Sequence, residues 1–226
     1  MENIKKYLQF ENGKVVVYGI LENDKRIVIP SQQYPISGEP EIFHNKNTEE
    51  CTDQQVIEVF DSIKAEIGHC YHNIETFMKV LEAAGIDKTL YRPYGGWLFI
   101  NDEVPVHHEW LVYKNVHVFD FSSSNLFFNS GLENIEDKDV LYEKVIDLYM
   151  HQREKANHEW MTCGHADEYS VYVGSVCKPS DAIKLYRKLV KAFPKHPCIG
   201  RVNKDTGVTE IQTRILKRIH DEQKRR

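Results

Sequence analysis

The chain has no run approaching the roughly 20 apolar residues that a membrane-spanning helix needs, and Met1–Lys6 has no hydrophobic region behind it. Neither a membrane anchor nor a secretory signal is expected, and the expected location is the cytoplasm. Cysteine is scarce, with five in 226 residues at irregular spacing. An odd, irregular set argues against a disulfide framework and fits a reducing compartment. There is no CxxC, no HExxH, no Walker-type phosphate loop and no dinucleotide fingerprint; Gly95-Gly96 is a lone pair, read as a turn before a strand from Trp97 to Ile100. His107-His108-Glu109 begins like a nucleobase deaminase, but the matching P-C-x-x-C is missing, since only Pro197-Cys198 occurs. No internal repeat is evident, and no motif calls for a cofactor.

What is present is the composition of a globular protein: 41% hydrophobic and 11% aromatic residues over a length that can hold one good core, or a compact domain with an appendage. Charge is uneven. Residues 178–226 carry 14 Lys and Arg against 5 Asp and Glu, while residues 1–177 carry 15 against 29. The basic residues lie on two helical segments whose apolar positions (Ile183, Tyr186, Leu189, Phe193; Ile211, Ile215, Ile219) read as ordinary core, without interleaved stacking aromatics. Nucleic-acid binding is therefore not expected, and a solvated face or the chain's own acidic part accounts for the charge.

Local patterns divide the chain into three segments. Residues 1–50 read as a β meander (Tyr7–Phe10, the Asn12-Gly13 turn, Val15–Ile20, Arg26–Ile29) and a long loop from Pro30 to Asn47. Residues 51–132 form the expected core, starting with a capping box at Thr52–Gln55 and a helix with Val56, Ile57, Phe60 and Ile63 on its apolar face. Residues 133–226 read as an α/β extension: a helix within Asn134–Trp160 with Leu141, Val145, Leu148 and Tyr149 inward, a strand Tyr169–Val176, a helix Ser180–Phe193, a strand Cys198–Val202 and a helix Val208–His220.

Within the core, Cys70 opens a helix in which Ile74, Phe77, Met78 and Leu81 recur at buried-stripe spacing before Gly85 stops it. A first-turn cysteine meets unpaired N–H groups and the positive end of the dipole, which favour a thiolate and can receive an oxyanion. From the helix alone, Cys70 reads better as a small buried apolar residue. The segment Val106–Ser122 reads as a hairpin. With Tyr113-Lys114-Asn115 as a three-residue loop, Val112 faces Val116, Trp110 faces Val118 and His108 faces Asp120, all on one side. An even-length loop would send His108 and Asp120 to opposite faces. Strand alternation separates His107 from His108, so only one can join Cys70.

In order, Gly68-His69-Cys70, Gly85-Ile86, His108-Glu109-Trp110 and Val118-Phe119-Asp120 resemble the transglutaminase-like branch of the papain-like cysteine enzymes over about Gly68–Ser122. More narrowly, Cys70-Tyr71-His72-Asn73 followed by Gly95-Gly96-Trp97 is similar to small bacterial and phage proteins with this pattern. The resemblance implies an α+β fold, a helix packed on an antiparallel sheet, and a Cys70 nucleophile with His108 as base and Asp120 orienting it. His108 is preferred to His107 because it shares a face with Trp110. Asn73, Tyr71, Trp97 and Trp110 are candidates for substrate binding or support. No oxyanion donor is obvious upstream of Cys70, where Gln54 and Gln55 lie on the preceding helix, so the hole is expected to be backbone. The function this reading supports is amide hydrolysis or acyl transfer by a cysteine, with a protein or peptide substrate. A non-catalytic binding module on the same fold, and a zinc protein using His69, Cys70 and His72, His107 and His108, and Cys163-Gly164-His165, are the alternatives. Oligomeric state is unread.

Overall fold

The structure is a computed structural model that describes residues 8–11, 14–17, 27–30, 41–66, 68–100, 106–121, 135–155, 161–168, 170–192 and 208–225. The expected Asn12-Gly13 turn, most of the Pro30–Asn47 loop, the serines after Phe121 and the strand Cys198–Val202 lie outside them. Strands β1 (Leu8–Glu11), β2 (Lys14–Val17) and β3 (Ile27–Pro30) form an antiparallel meander. A six-stranded antiparallel sheet has the order β4 (Glu41–Phe43), β9 (Ser170–Val176), β5 (Tyr91–Ile100), β6 (Val106–Tyr113), β7 (His117–Asp120), β8 (Thr162–Gly164). Its strands come from all three expected segments. The boundaries at 50 and 132 are therefore not respected by the sheet, because β9 pairs with β4 on one side and β5 on the other. The expected α/β extension supplies an interior strand of the sheet.

The sheet curls. Thr48 follows Phe43, the end of β4, by five residues, yet its Oγ1 accepts the Ala166 N–H at 2.9 Å and its carbonyl accepts His165 Nδ1–H at 3.0 Å, just beyond β8. Flat, those edge strands would stand about 24 Å apart, whereas five residues span at most about 18 Å. Its concave side holds Phe43, Tyr94, Leu98, Trp110, Val112, Val118, Ala166 and Tyr172. Gly96 and Gly174 permit the tight approach of β5 and β9: a Cβ on Gly96 would lie 2.2 Å from the Val173 carbonyl oxygen.

Helices α1 (Gln54–Ser62) and α2 (Cys70–Ala83) cover the convex side. Phe60, Ile74, Phe77 and Leu81 pack there against Leu111, Tyr113, Phe119 and Phe121, with Phe60 stacked on Phe121 at 4.5 Å. The expected capping box is corrected: Asp53, not Thr52, precedes α1, and its carboxylate accepts Tyr113 O–H at 2.6 Å instead of capping the helix. Gly85, at φ +80°, ends α2 in a Schellman arrangement, with Ile86 N–H donating to Leu81 O and Gly85 N–H to Glu82 O. Helix α3 (Lys138–Lys155) and helix α5 (Val208–Arg225) share a separate apolar cluster around Tyr142, Ile146, Tyr149 and Ile215. Arg214 and Arg218 of α5 pair with Asp139, Glu143 and Asp147 of α3, so part of the basic end is satisfied by the chain's own acids. Helix α4 (Pro179–Ala192) packs against α2 and β5.

Candidate active site

Two features aim Cys70. Gly68 turns the chain into α2 at φ +76°, a conformation glycine adopts without steric cost. Asn73 then grips the preceding loop with both ends of its amide: the Glu66 N–H donates to Oδ1 at 3.0 Å and Nδ2–H donates to the Glu66 carbonyl at 2.9 Å. Asn73 is thus a buried loop clamp rather than a group presented to substrate. Cys70 is half-buried on the same stripe as Asn73, Ile74 and Phe77, at a helix start whose first amides have no intrahelical acceptor. Gln55 donates to Ala84 O at the opposite end of α2, at 2.8 Å, and Gln54 pairs with Glu58.

His108 is buried and engages the two other expected members of the site. Its Nε2–H donates to Asp120 Oδ1 at 2.7 Å, and a side-chain hydrogen bond links it to Cys70. With Nε2 committed to Asp120, Nδ1 is the ring nitrogen left for the sulfur. Asp120 is held in turn by Tyr172, whose O–H donates to Oδ2 at 3.0 Å, and Thr162 Oγ1 lies 3.2 Å from the Tyr172 oxygen. Burial works against charge on His108, but the negative charges of Asp120 and Cys70, with their hydrogen bonds, outweigh it and hold the imidazole well above its ordinary pKa.

The route by which His108 and Asp120 meet differs from the expected one. Lys114 (φ +49°) and Asn115 (φ +64°) make the turn, closed by Val116 N–H to Tyr113 O, and Val116 is an extra residue before pairing resumes. The loop is Lys114-Asn115-Val116, the pairs being Tyr113 with His117, Val112 with Val118 and Leu111 with Phe119. The expected facing pairs are therefore displaced by two residues, and His108 stands diagonal to Asp120 rather than opposite it. Because the loop remains odd in length, both keep the concave face. The β6–β7 ladder ends at Leu111, and His108 lies beyond that end.

The auxiliary candidates divide. Trp110 is fully enclosed on the concave side, 5.2 Å from Tyr172 and 6.1 Å from Tyr94 by ring centroids. It is core, not a substrate surface. Trp97 is equally buried, edge-on to His107 at 5.0 Å. Tyr71 Oη and His107 Nδ1 share a hydrogen bond at 2.5 Å, and Tyr186 of α4 lies against both rings. Burial, with the adjacent charge of His108, pushes His107 down to about 3, so it is a neutral imidazole.

Glu109 was not among the residues singled out from the sequence. It is completely buried, and neither carboxyl oxygen has a hydrogen-bond partner. Burial first, and the negative charge of Cys70 next, push it up to about 10, so it is a neutral acid at pH 7. The available signal was its phase: Glu109 alternates with Leu111 and Tyr113, on the face that α1 and α2 cover.

Among the described residues no group of three or more His, Cys, Asp or Glu side chains is arranged to hold a metal ion. In the three stretches behind the zinc alternative, His69 pairs with Glu66, His107 with Tyr71, His108 with Asp120 and His165 with Thr48, while burial pushes the Cys163 thiol up to about 12. No helix among the described residues is long and apolar enough to cross a membrane. Comparison with protein-family models, with curated proteins and with solved structures found no match for the chain.

Proposed function

We propose that the protein is a cysteine-dependent amide hydrolase or acyltransferase with Cys70, His108 and Asp120 as its triad, on a papain-like, transglutaminase-like variant of the curled sheet. The observation that supports this most is one buried imidazole bonded to both a carboxylate at 2.7 Å and a thiol at the start of a helix. That is the arrangement a thiol nucleophile needs: a base to take its proton and a third group to fix the base.

In the proposed reaction the Cys70 thiolate attacks the carbonyl carbon of an amide while His108 holds the thiol's proton. The oxyanion is received by backbone N–H groups of the first turn of α2. As the C–N bond breaks, His108 gives its proton to the departing amine, leaving a thioester on Cys70. Water, deprotonated by His108, then attacks the thioester; the C–S bond breaks and the thiolate–imidazolium pair returns. An amine in place of water gives transfer. Protein or peptide amides remain the proposed substrates, in a reducing, cytoplasmic setting that keeps the thiol free.

Trapping the acyl-enzyme tests this. The wild type, mixed with an activated acyl ester and quenched in acid, is expected to carry one hydroxylamine-labile acyl group on Cys70. Acylation spread evenly over the cysteines, or retained in Cys70→Ala, would remove the proposal.

A further inference from the structure

Glu109 is an expensive residue to keep. A buried carboxyl with neither oxygen hydrogen-bonded is unusual in a folded chain, and it stands between His108, which is bonded to Asp120, and Trp110, whose indole N–H is likewise buried without a partner. The groups with electrostatic reach to it are Cys70 and Glu75 of α2 and His108 of its own strand, and Glu109 in turn acts on Tyr71. From α4 and the end of β9, Tyr186 and Cys177 act on Tyr71. No cation other than His108 figures among these groups. Little around Glu109 therefore offsets a second negative charge.

We infer that Glu109 is a positioning residue that shares a single negative charge with Cys70: while the sulfur is a thiolate the acid stays protonated beneath it, and when acylation neutralises the sulfur Glu109 gives up its proton more readily. The inference rests on the proposed role of Cys70 for its meaning, but the coupling itself needs no turnover. An ionised Glu109 would repel the thiolate and return the nucleophile to its thiol form. Confining Glu109 to a buried site without hydrogen-bond donors favours its neutral form. Interacting sites of this kind titrate as a pair.

Infrared spectroscopy of carboxyl-13C-glutamate protein reads the acid directly. The protein is expected to show the carbonyl band of a protonated carboxylic acid at neutral pH, absent from Glu109→Gln. Alkylating Cys70 with iodoacetamide, which leaves a neutral sulfur, should move the pH at which the band disappears down by about one unit or more. Iodoacetate, which leaves a negative adduct, should produce a smaller displacement, and Cys70→Ser should match iodoacetamide without any reagent. A band missing from the wild type at neutral pH, or a midpoint indifferent to the charge on residue 70, overturns the inference. Should acyl-enzyme trapping fail while the iodoacetamide displacement is seen, the pair stands and the proposed function falls; the reverse result sinks only the pair.

Discussion

Replacing Asp120 by Asn keeps the side chain's shape and an oxygen that can accept from Tyr172, but removes the counter-charge of a buried imidazolium. At the 2.7 Å separation between Nε2 and Oδ1, two unit charges attract by about 6 kcal/mol at an effective dielectric of about 20. Burial of both side chains, 8% and 1% exposed, opposes that gain. Leaving His108 charged without its partner should cost about 3–5 kcal/mol. The pH dependence has a definite sign. The folded-state pKa of His108 is raised above 6.5, so the stabilisation is fully present below about pH 6.5 and is lost as pH rises through the raised value. Without Asp120, burial opposes the charged imidazole and only Cys70 is left to favour it. Urea unfolding of wild type and Asp120→Asn, from about pH 5 to about pH 10, should show the largest difference at the acid end and a shrinking one above it. A difference independent of pH, or one under about 1 kcal/mol near pH 6, would refute the buried charged pair.

Asn73→Ala removes both bonds that clamp the Glu66 backbone and should lower stability by about 1–3 kcal/mol, with slower alkylation of Cys70 measured on the folded protein. Gly96→Ala places a methyl 2.2 Å from a backbone oxygen of β9; overpacking of about 1–3 kcal/mol or more should appear as a lowered melting temperature, and an unchanged one would contradict the strand approach described. Phe77→Ala, in the cluster with Phe60, Phe119 and Phe121, should cost about 3–5 kcal/mol in urea unfolding.

Local features were legible in the sequence because local physics fixes them. The Ile74, Phe77 and Leu81 stripe and the Gly85 stop place α2 within a residue of its observed end. The left-handed Asn115 marked the turn between β6 and β7. What could not be read was set by distant parts of the chain. Nothing local to Ser170–Val176 says that it will lie between β4 and β5, so a central strand was assigned to an extension. The two-residue displacement of the hairpin comes from Val116, an extra residue with no signature in its own side chain. Asn73 turned inward to a loop because Glu66, seven residues earlier, offers a backbone N–H and C=O at the right spacing. Trp97 and Trp110 looked like site residues beside the histidines, but strand alternation in a curled sheet enclosed both.

The central claim is that His108 activates Cys70, and the rate at which a thiol-reactive amide probe labels Cys70 tests it most directly. Peptide mapping of wild type, His108→Ala and Cys70→Ala at neutral pH separates that site from Cys51, Cys163, Cys177 and Cys198. Labelling of Cys70 in the wild type that outpaces the other cysteines, and that falls by about 100-fold or more in folded His108→Ala, in keeping with the loss of a general base, is the predicted result. Undiminished labelling of Cys70 in His108→Ala would contradict the account.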